Sequence, residues 1–216
     1  MSEERRYIVV EGPIGVGKTT LARRLADSFG SALLLEGADH NPFLERFYRN
    51  PREAALSTQL HFLLQRAEQL RQLSQSDLFN PVWVADFLME KDRLFAEVNL
   101  DADELALYEQ VYRHLVVEAP QPDLVVYLQA PVNVLQDRID RRGIEYERGM
   151  SGGYLQRLAD AYTRFFHDYD AAPLLIVNAA DVNFAETEAD YASLLDEMGR
   201  ARSGRHFFNP APLGAL

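Results

Sequence analysis

At 216 residues, 47% of them hydrophobic, the chain is long enough to bury one substantial core. A formal charge of −11 argues against a general nucleic-acid-binding surface, which needs a broad basic face, so any polyanion must meet a local basic pocket. There is no cysteine for a disulfide or a thiolate zinc site, no secretory segment at Met1 to Arg6, and no apolar run long enough to cross a bilayer. The expectation is a cytoplasmic protein of one domain, acting on small molecules and binding neither membrane nor nucleic acid.

In chain order, the first apolar run, Tyr7 to Val10, reads as a strand and leads into Gly12-Pro13-Ile14-Gly15-Val16-Gly17-Lys18-Thr19. This fits the phosphate-cradling pattern G-x-x-x-x-G-K-[ST]. The glycines let several N–H groups point at one anion, Lys18 adds a mobile cation, and the Thr19 hydroxyl is suited to Mg²⁺. A helix expected over Thr19 to Phe29 aims its positive end at the same phosphates, and Thr20 joins the expected nucleotide contacts.

Four further apolar runs, Ala32 to Leu35, Val82 to Ala85, Leu124 to Leu128 and Leu174 to Val177, read as strands buried on both faces. Between them, helical spacing predicts helices over Arg52 to Leu73, Asp103 to Val117, Val132 to Arg141, Gly153 to Tyr169 and Phe184 to Gly199. Continuous apolar strands joined by helices indicate an α/β fold, with a five-stranded parallel sheet covered on both faces. Residues 1–199 form the expected domain. Arg200 to Leu216, rich in Gly, Pro and Ala, is expected to be loosely attached, with Phe207 and Phe208 able to dock it.

Two of these strands end in carboxylates, Glu36 and Asp86, where ligands of open parallel sheets bind. Either they divide the work at the crevice, one accepting a proton and the other organising Mg²⁺, or they are solvated strand ends. Arg138 and Arg142, four apart on one helix face, suit a transferring phosphoryl group or else form ion pairs at a solvated helix end; Arg141 is expected to point elsewhere. Gly143, Gly149, Gly152 and Gly153 give this region, about residues 142–152, the freedom of a mobile lid.

With these segments in view, the chain resembles the deoxynucleoside kinase family, and within it the bacterial deoxyadenosine and deoxyguanosine kinases. The resemblance is carried by the phosphate loop, Leu35-Glu36, Asn41-Pro42-Phe43-Leu44, Phe47-Tyr48, Ser57-Thr58-Gln59-Leu60 and Arg66. It continues through Asp86, Asp92-Arg93, Arg138 to Glu147 and Asp181-Val182-Asn183-Phe184. It implies the P-loop kinase fold, a homodimer, ATP with Mg²⁺, and transfer to the 5′-hydroxyl of a deoxynucleoside, purine by preference, in nucleotide salvage. By the same resemblance Glu36 contacts the 5′-hydroxyl as candidate base, with Asp86 its rival and a metal ligand beside Thr19. Tyr48 and Glu147 hold the 3′-hydroxyl, Gln59 reads the base edge, Arg66 and Asp92 border the base pocket, and Asp181 and Asn183 lie in the loop around the adenine of ATP.

Two departures stand out. Phe87 follows Asp86 where many members have arginine, and Ile144 follows Arg142-Gly143 where a second lid arginine is common. The competing readings are a nucleoside monophosphate kinase of similar fold and a nucleotide-operated switch. For the switch, Asn178-Ala179-Ala180-Asp181 lacks the lysine of a guanine-reading N-K-x-D element.

Overall fold

A strand of apolar residues without alternation can be buried only if both of its faces are covered, and that requirement organises the chain. The computed structural model describes residues 7–76, 82–115, 120–184 and 187–210. Its strands are β1 (Tyr7–Glu11), β2 (Ala32–Leu34), β3 (Trp83–Ala85), β4 (Leu124–Gln129), β5 (Leu174–Asn178) and β6 (Arg205–Phe208). They form one parallel sheet in the order β2-β3-β1-β4-β5-β6. Its helices are α1 (Lys18–Phe29), α2 (Leu44–Arg49), α3 (Pro51–Ser76), α4 (Lys91–Asn99), α5 (Ala102–Leu115), α6 (Val132–Arg142), α7 (Gly152–Asp168) and α8 (Glu188–Arg200).

Successive side chains of each central strand enter opposite cores. Val9, Val125, Tyr127 and Leu174 pack with Leu63 of α3, Leu94 of α4, Tyr108 of α5 and Leu158, Tyr162 and Phe166 of α7. Ile8, Val10, Val126, Leu128 and Leu175 pack instead with Leu21 and Leu25 of α1 and Leu194 and Met198 of α8. The first core is rich in rings, the Tyr127 and Phe166 centroids being 4.1 Å apart.

The α/β architecture expected from the sequence is borne out, with six strands in place of five. The sixth lies in the segment expected to be loosely attached. β6 pairs with β5 from Arg205 to Phe208, and the Arg205 guanidinium donates to the carbonyls of Phe166, His167 and Tyr169 where α7 ends. Phe208 packs on the second core while Phe207 remains 73% exposed. This is an edge strand covered on one face, with exposed and half-buried residues in alternation. Residues 211–216 lie outside the described residues, as do the last two residues of the helix expected to reach Val117 and residues 185 and 186 of the one expected from Phe184. The short helices α2 and α4 were not expected from the spacing, and both border the site. Because β1 has β3 on one side and β4 on the other, the loop leaving β1 emerges where the chain's winding reverses, the place for a ligand in an open α/β sheet.

Candidate active site

The loop after β1 is wedged against β4 and α6 so tightly that glycine is obligatory. Gly12 has φ 147°, and a Cβ there would lie 2.4 Å from the Leu128 carbonyl oxygen; Gly15 has φ 85°, and its Cβ would lie 2.7 Å from the Leu135 carbonyl oxygen. Gly17 stands at the N-cap of α1 without any side-chain cap, leaving the first N–H groups of that helix directed at the loop. Lys18 Nζ donates to the Gly12 and Pro13 carbonyls at 2.7 and 3.2 Å, folded over the cradle. Replacing Gly12 with Ala is expected to destabilise the fold by about 1–3 kcal/mol and to abolish nucleotide binding, read by thermal denaturation and nucleotide titration.

Three carboxylates converge behind this loop. Asp86 accepts from the Thr19 hydroxyl on Oδ2 and from the Glu36 N–H on Oδ1, at 2.5 and 2.7 Å, so both of its oxygens are engaged. Glu36 turns its carboxylate toward Arg66 and Lys91, which both meet Oε1, the latter at 3.1 Å. The backbone around it is pinned by α3, where Gln65 donates to the Glu36 carbonyl and Gln69 to that of Leu35. Burial opposes ionisation of Glu36, but Lys91, Arg66 and Lys18 outweigh it and hold the carboxyl well below the usual range. Burial lowers the Lys18 pKa, and Lys91 lowers it further against the pull of Glu11, Glu36 and Asp86.

The third carboxylate was not foreseen. Glu11, the last residue of β1, is fully buried and accepts from the N–H of Gly12 at 2.9 Å, the N–H of Leu88 at 2.8 Å and the Tyr162 hydroxyl at 3.1 Å. Its Oε1 faces Lys91 Nζ at 3.4 Å. The strand-end rule that singled out Glu36 and Asp86 applies equally to Glu11. Lys91 had no such signal, since it stands between Glu90 and Asp92, at the end of no apolar run and in no motif.

A cavity of about 170 Å³ opens from the phosphate loop past Lys18, Thr19 and Thr20 to Glu36 and on to Tyr48, Gln59, Arg66 and Glu147. Gln59 is 2% exposed, and its Oε1 is buried without a hydrogen-bond partner among the described residues, as a side chain waiting for a polar ligand would be. Tyr48 lies parallel to Tyr146, centroids 5.9 Å apart, and its hydroxyl pKa is raised first by burial and then by Tyr154 and Glu147. Glu147 is buried and paired with Arg142 at 2.5 Å. One expected residue is absent from the wall: Asp92, fully buried, stands behind Arg66 at 2.7 Å and supports it from outside the cavity.

A loop built for phosphates thus shares one cavity with a buried amide, a tyrosine and a paired glutamate. Residues 8–201 match the family model described as deoxynucleoside kinase. The chain belongs to the deoxynucleoside kinase family. It is 36% identical over 158 residues to the deoxyguanosine kinase of Bacillus subtilis strain 168, covering 72% of this chain and 76% of that relative. The deoxyadenosine/deoxycytidine kinase of the same organism is 27% identical over 199 residues, 88% of this chain and 90% of the relative. Among solved structures, the deoxyadenosine kinase from M. mycoides with bound dATP superposes with a TM-score of 0.77 at 23% identity, over 89% of this chain and 99% of that one. Its likeness shows the P-loop kinase fold.

In this kinase a second cleft lies on the other side of the loop, bordered by Gly15, Arg138, Arg141, Arg142, Asp181 and Asn183. Arg138 is committed to backbone, donating to the Val16 carbonyl at 3.2 Å and the Ala179 carbonyl at 2.7 Å, and so ties the phosphate loop to the segment after β5. Arg141, expected to point elsewhere, borders the cleft with Arg138 and Arg142, because residues three and four apart share a helix face. Arg142 borders both cavities. Phe87 is fully buried in the first core, so the position after Asp86 supplies packing and no cation.

Proposed function

We propose that the enzyme transfers the γ-phosphoryl group of ATP to the 5′-hydroxyl of a purine deoxynucleoside in nucleotide salvage, with Glu36 as proton acceptor. The observation that carries this reading is the single cavity joining the phosphate loop to Glu36, Tyr48, Gln59 and Glu147. Among the described residues Glu36 Oε2 makes no hydrogen bond, whereas both oxygens of Asp86 are occupied, which favours Glu36 over Asp86 as the base. The hydroxyl proton passes to Glu36, the sugar oxygen attacks the γ-phosphorus, and the bond to the ADP oxygen breaks. Lys18 and the loop N–H groups stabilise the spreading phosphoryl charge, with Arg142 beside them.

The hydroxyl of Thr19 and the carboxylate of Asp86 are hard oxygen donors next to the loop, a set that fits Mg²⁺ held jointly with phosphates. When bound there, the ion neutralises phosphate charge. Tyr48 and Glu147 hold the 3′-hydroxyl, and Gln59 reads the purine edge through a donor and an acceptor on one amide. Asp181 and Asn183 border the second cleft, which takes the adenine of ATP in this reading. Residues 142–152 serve as the lid, here folded onto α2 through the Tyr146–Tyr48 stack.

At the acceptor end, Arg66 and Lys91 both face carboxylates, which favours an uncharged alcohol over a nucleoside monophosphate as acceptor. Homodimerisation is supported by Leu64 of α3 and Leu107 of α5, large apolar side chains left about half exposed on neighbouring helices. Action in the cytoplasm belongs to the same proposal; separately, no helix among the described residues is long and apolar enough to cross a membrane.

The test is ADP formation from ATP and Mg²⁺ with each of the four deoxynucleosides and their monophosphates. Deoxyguanosine or deoxyadenosine is expected to exceed the pyrimidines in kcat/KM by about tenfold or more. Turnover of monophosphates alone would replace this reading with a monophosphate kinase, and acceptor-independent ADP formation would replace it with a switch. Gln59→Leu is expected to raise the purine KM about 10- to 100-fold, the worth of a bidentate base contact, without altering the melting curve by more than a few degrees.

A further inference from the structure

We propose that Lys91 is the positioning residue for Glu36, a buried cation anchored by Glu11 that aims the free oxygen of the base into the cavity. The inference rests on Glu36 being the proton acceptor. Lys91 is the first residue of α4, at the helix end where the macrodipole and unpaired N–H groups disfavour positive charge, and it is 1% exposed. An ammonium in such a place requires carboxylates. It has two, Glu11 Oε1 at 3.4 Å and Glu36 Oε1 at 3.1 Å, with the Phe95 ring 5.5 Å away. Although buried, it borders the acceptor cavity.

Among the described residues one other cation meets Glu36 Oε1, the Arg66 guanidinium, and it is shared. Phe87 brings no charge to the end of β3, and the Arg66 guanidinium is divided between Glu36 and Asp92. A chain of polar contacts therefore runs from the Gly12 N–H through Glu11 and Lys91 to Glu36, tying the first glycine of the phosphate loop to the base. With two cations on Oε1, the Glu36 rotamer is fixed and Oε2 is left for the hydroxyl. When Oε2 takes that proton, Glu36 loses its charge, yet Glu11 still holds Lys91. The ammonium stays in place while the new O–P bond forms and the bond to ADP breaks, so the site need not reorganise during transfer.

The experiment is a double-mutant cycle of Lys91→Gln and Glu36→Gln, read by single-turnover and steady-state kinetics with ATP and the preferred deoxynucleoside, alongside thermal melting. Lys91→Gln is expected to lower kcat about 10- to 100-fold with both KM values within about threefold, and to add less than about twofold to the loss in Glu36→Gln. A purely structural role predicts lowered stability and losses that multiply in the double variant; that multiplication overturns the inference. If Lys91→Gln does not fold, Glu11→Gln/Lys91→Gln, which removes the cation together with one of its carboxylates, enters the same cycle under the same criterion. A slow Glu36→Gln beside an unaffected Lys91→Gln sinks the positioning role alone. A fully active Glu36→Gln sinks the assignment of the base and this inference with it.

Discussion

Glu36→Gln is expected to lower kcat by about 10²- to 10⁴-fold while leaving KM for both substrates nearly unchanged, since the variant loses a proton acceptor and little binding surface. The amide oxygen still receives Arg66 and Lys91, so the pocket keeps its shape. Burial alone disfavours the charged form of Glu36, yet Lys91, Arg66 and Lys18 hold it far below its ordinary value. A carboxyl with a depressed folded pKa contributes its stability above the unfolded value of about 4.3 and loses it as pH falls through the folded value. Between about pH 5 and 9 the group is ionised throughout, so the deficit of Glu36→Gln is expected to be flat across that window. Asp86→Asn supplies the contrast. It leaves one acceptor oxygen for two donors, Thr19 and the Glu36 N–H, and is expected to show mainly a raised Mg²⁺ requirement. Should Asp86→Asn abolish single-turnover transfer at saturating Mg²⁺ while Glu36→Gln retains it, the two roles are exchanged.

Lys18→Met is expected to cost about 10²- to 10³-fold in kcat/KM for ATP, the usual penalty for removing a donor aimed at developing charge. Among the described residues its side chain bonds within its own loop alone, to the Gly12 and Pro13 carbonyls, and it is expected to leave these for the phosphates when nucleotide enters. The melting temperature without nucleotide is accordingly expected to move by no more than a few degrees, while the nucleotide-induced rise is lost. Activity within about threefold of the unsubstituted enzyme would show that the loop is not the donor site.

How far the site could be read in advance depended on where its information lies. The phosphate loop was legible because its chemistry is contiguous, with glycine dihedrals, a lysine and a hydroxyl within eight residues and an apolar strand before them. Glu36 and Asp86 followed from strand ends. Glu11 obeys the same rule, but it is the residue just before the loop, where the strand pattern hands over to the motif, and the motif masks it. Lys91 stands in a charged stretch with no apolar period or motif of its own, and the packing of α4 is what turns it inward between two carboxylates. Arg138 shows the opposite displacement: helix spacing put it on the correct face, and the fold then engaged its guanidinium with carbonyls on either side of the cleft.

β6 marks the same boundary in the architecture. The central strands announce themselves because burial on both faces demands uninterrupted apolar runs, whereas an edge strand with one covered face needs only alternate residues, and β6 leaves Arg205 and Phe207 exposed. The amino-acid sequence by itself determined the phosphate loop, the layered parallel sheet and the family, since each rests on local pattern or on the order of many short motifs. The tertiary structure alone decided which charges meet. Glu11, Lys91, Glu36 and Arg66 come from four separate segments, and the electrostatic partnership of buried groups is set by their separation in space, which no local periodicity encodes.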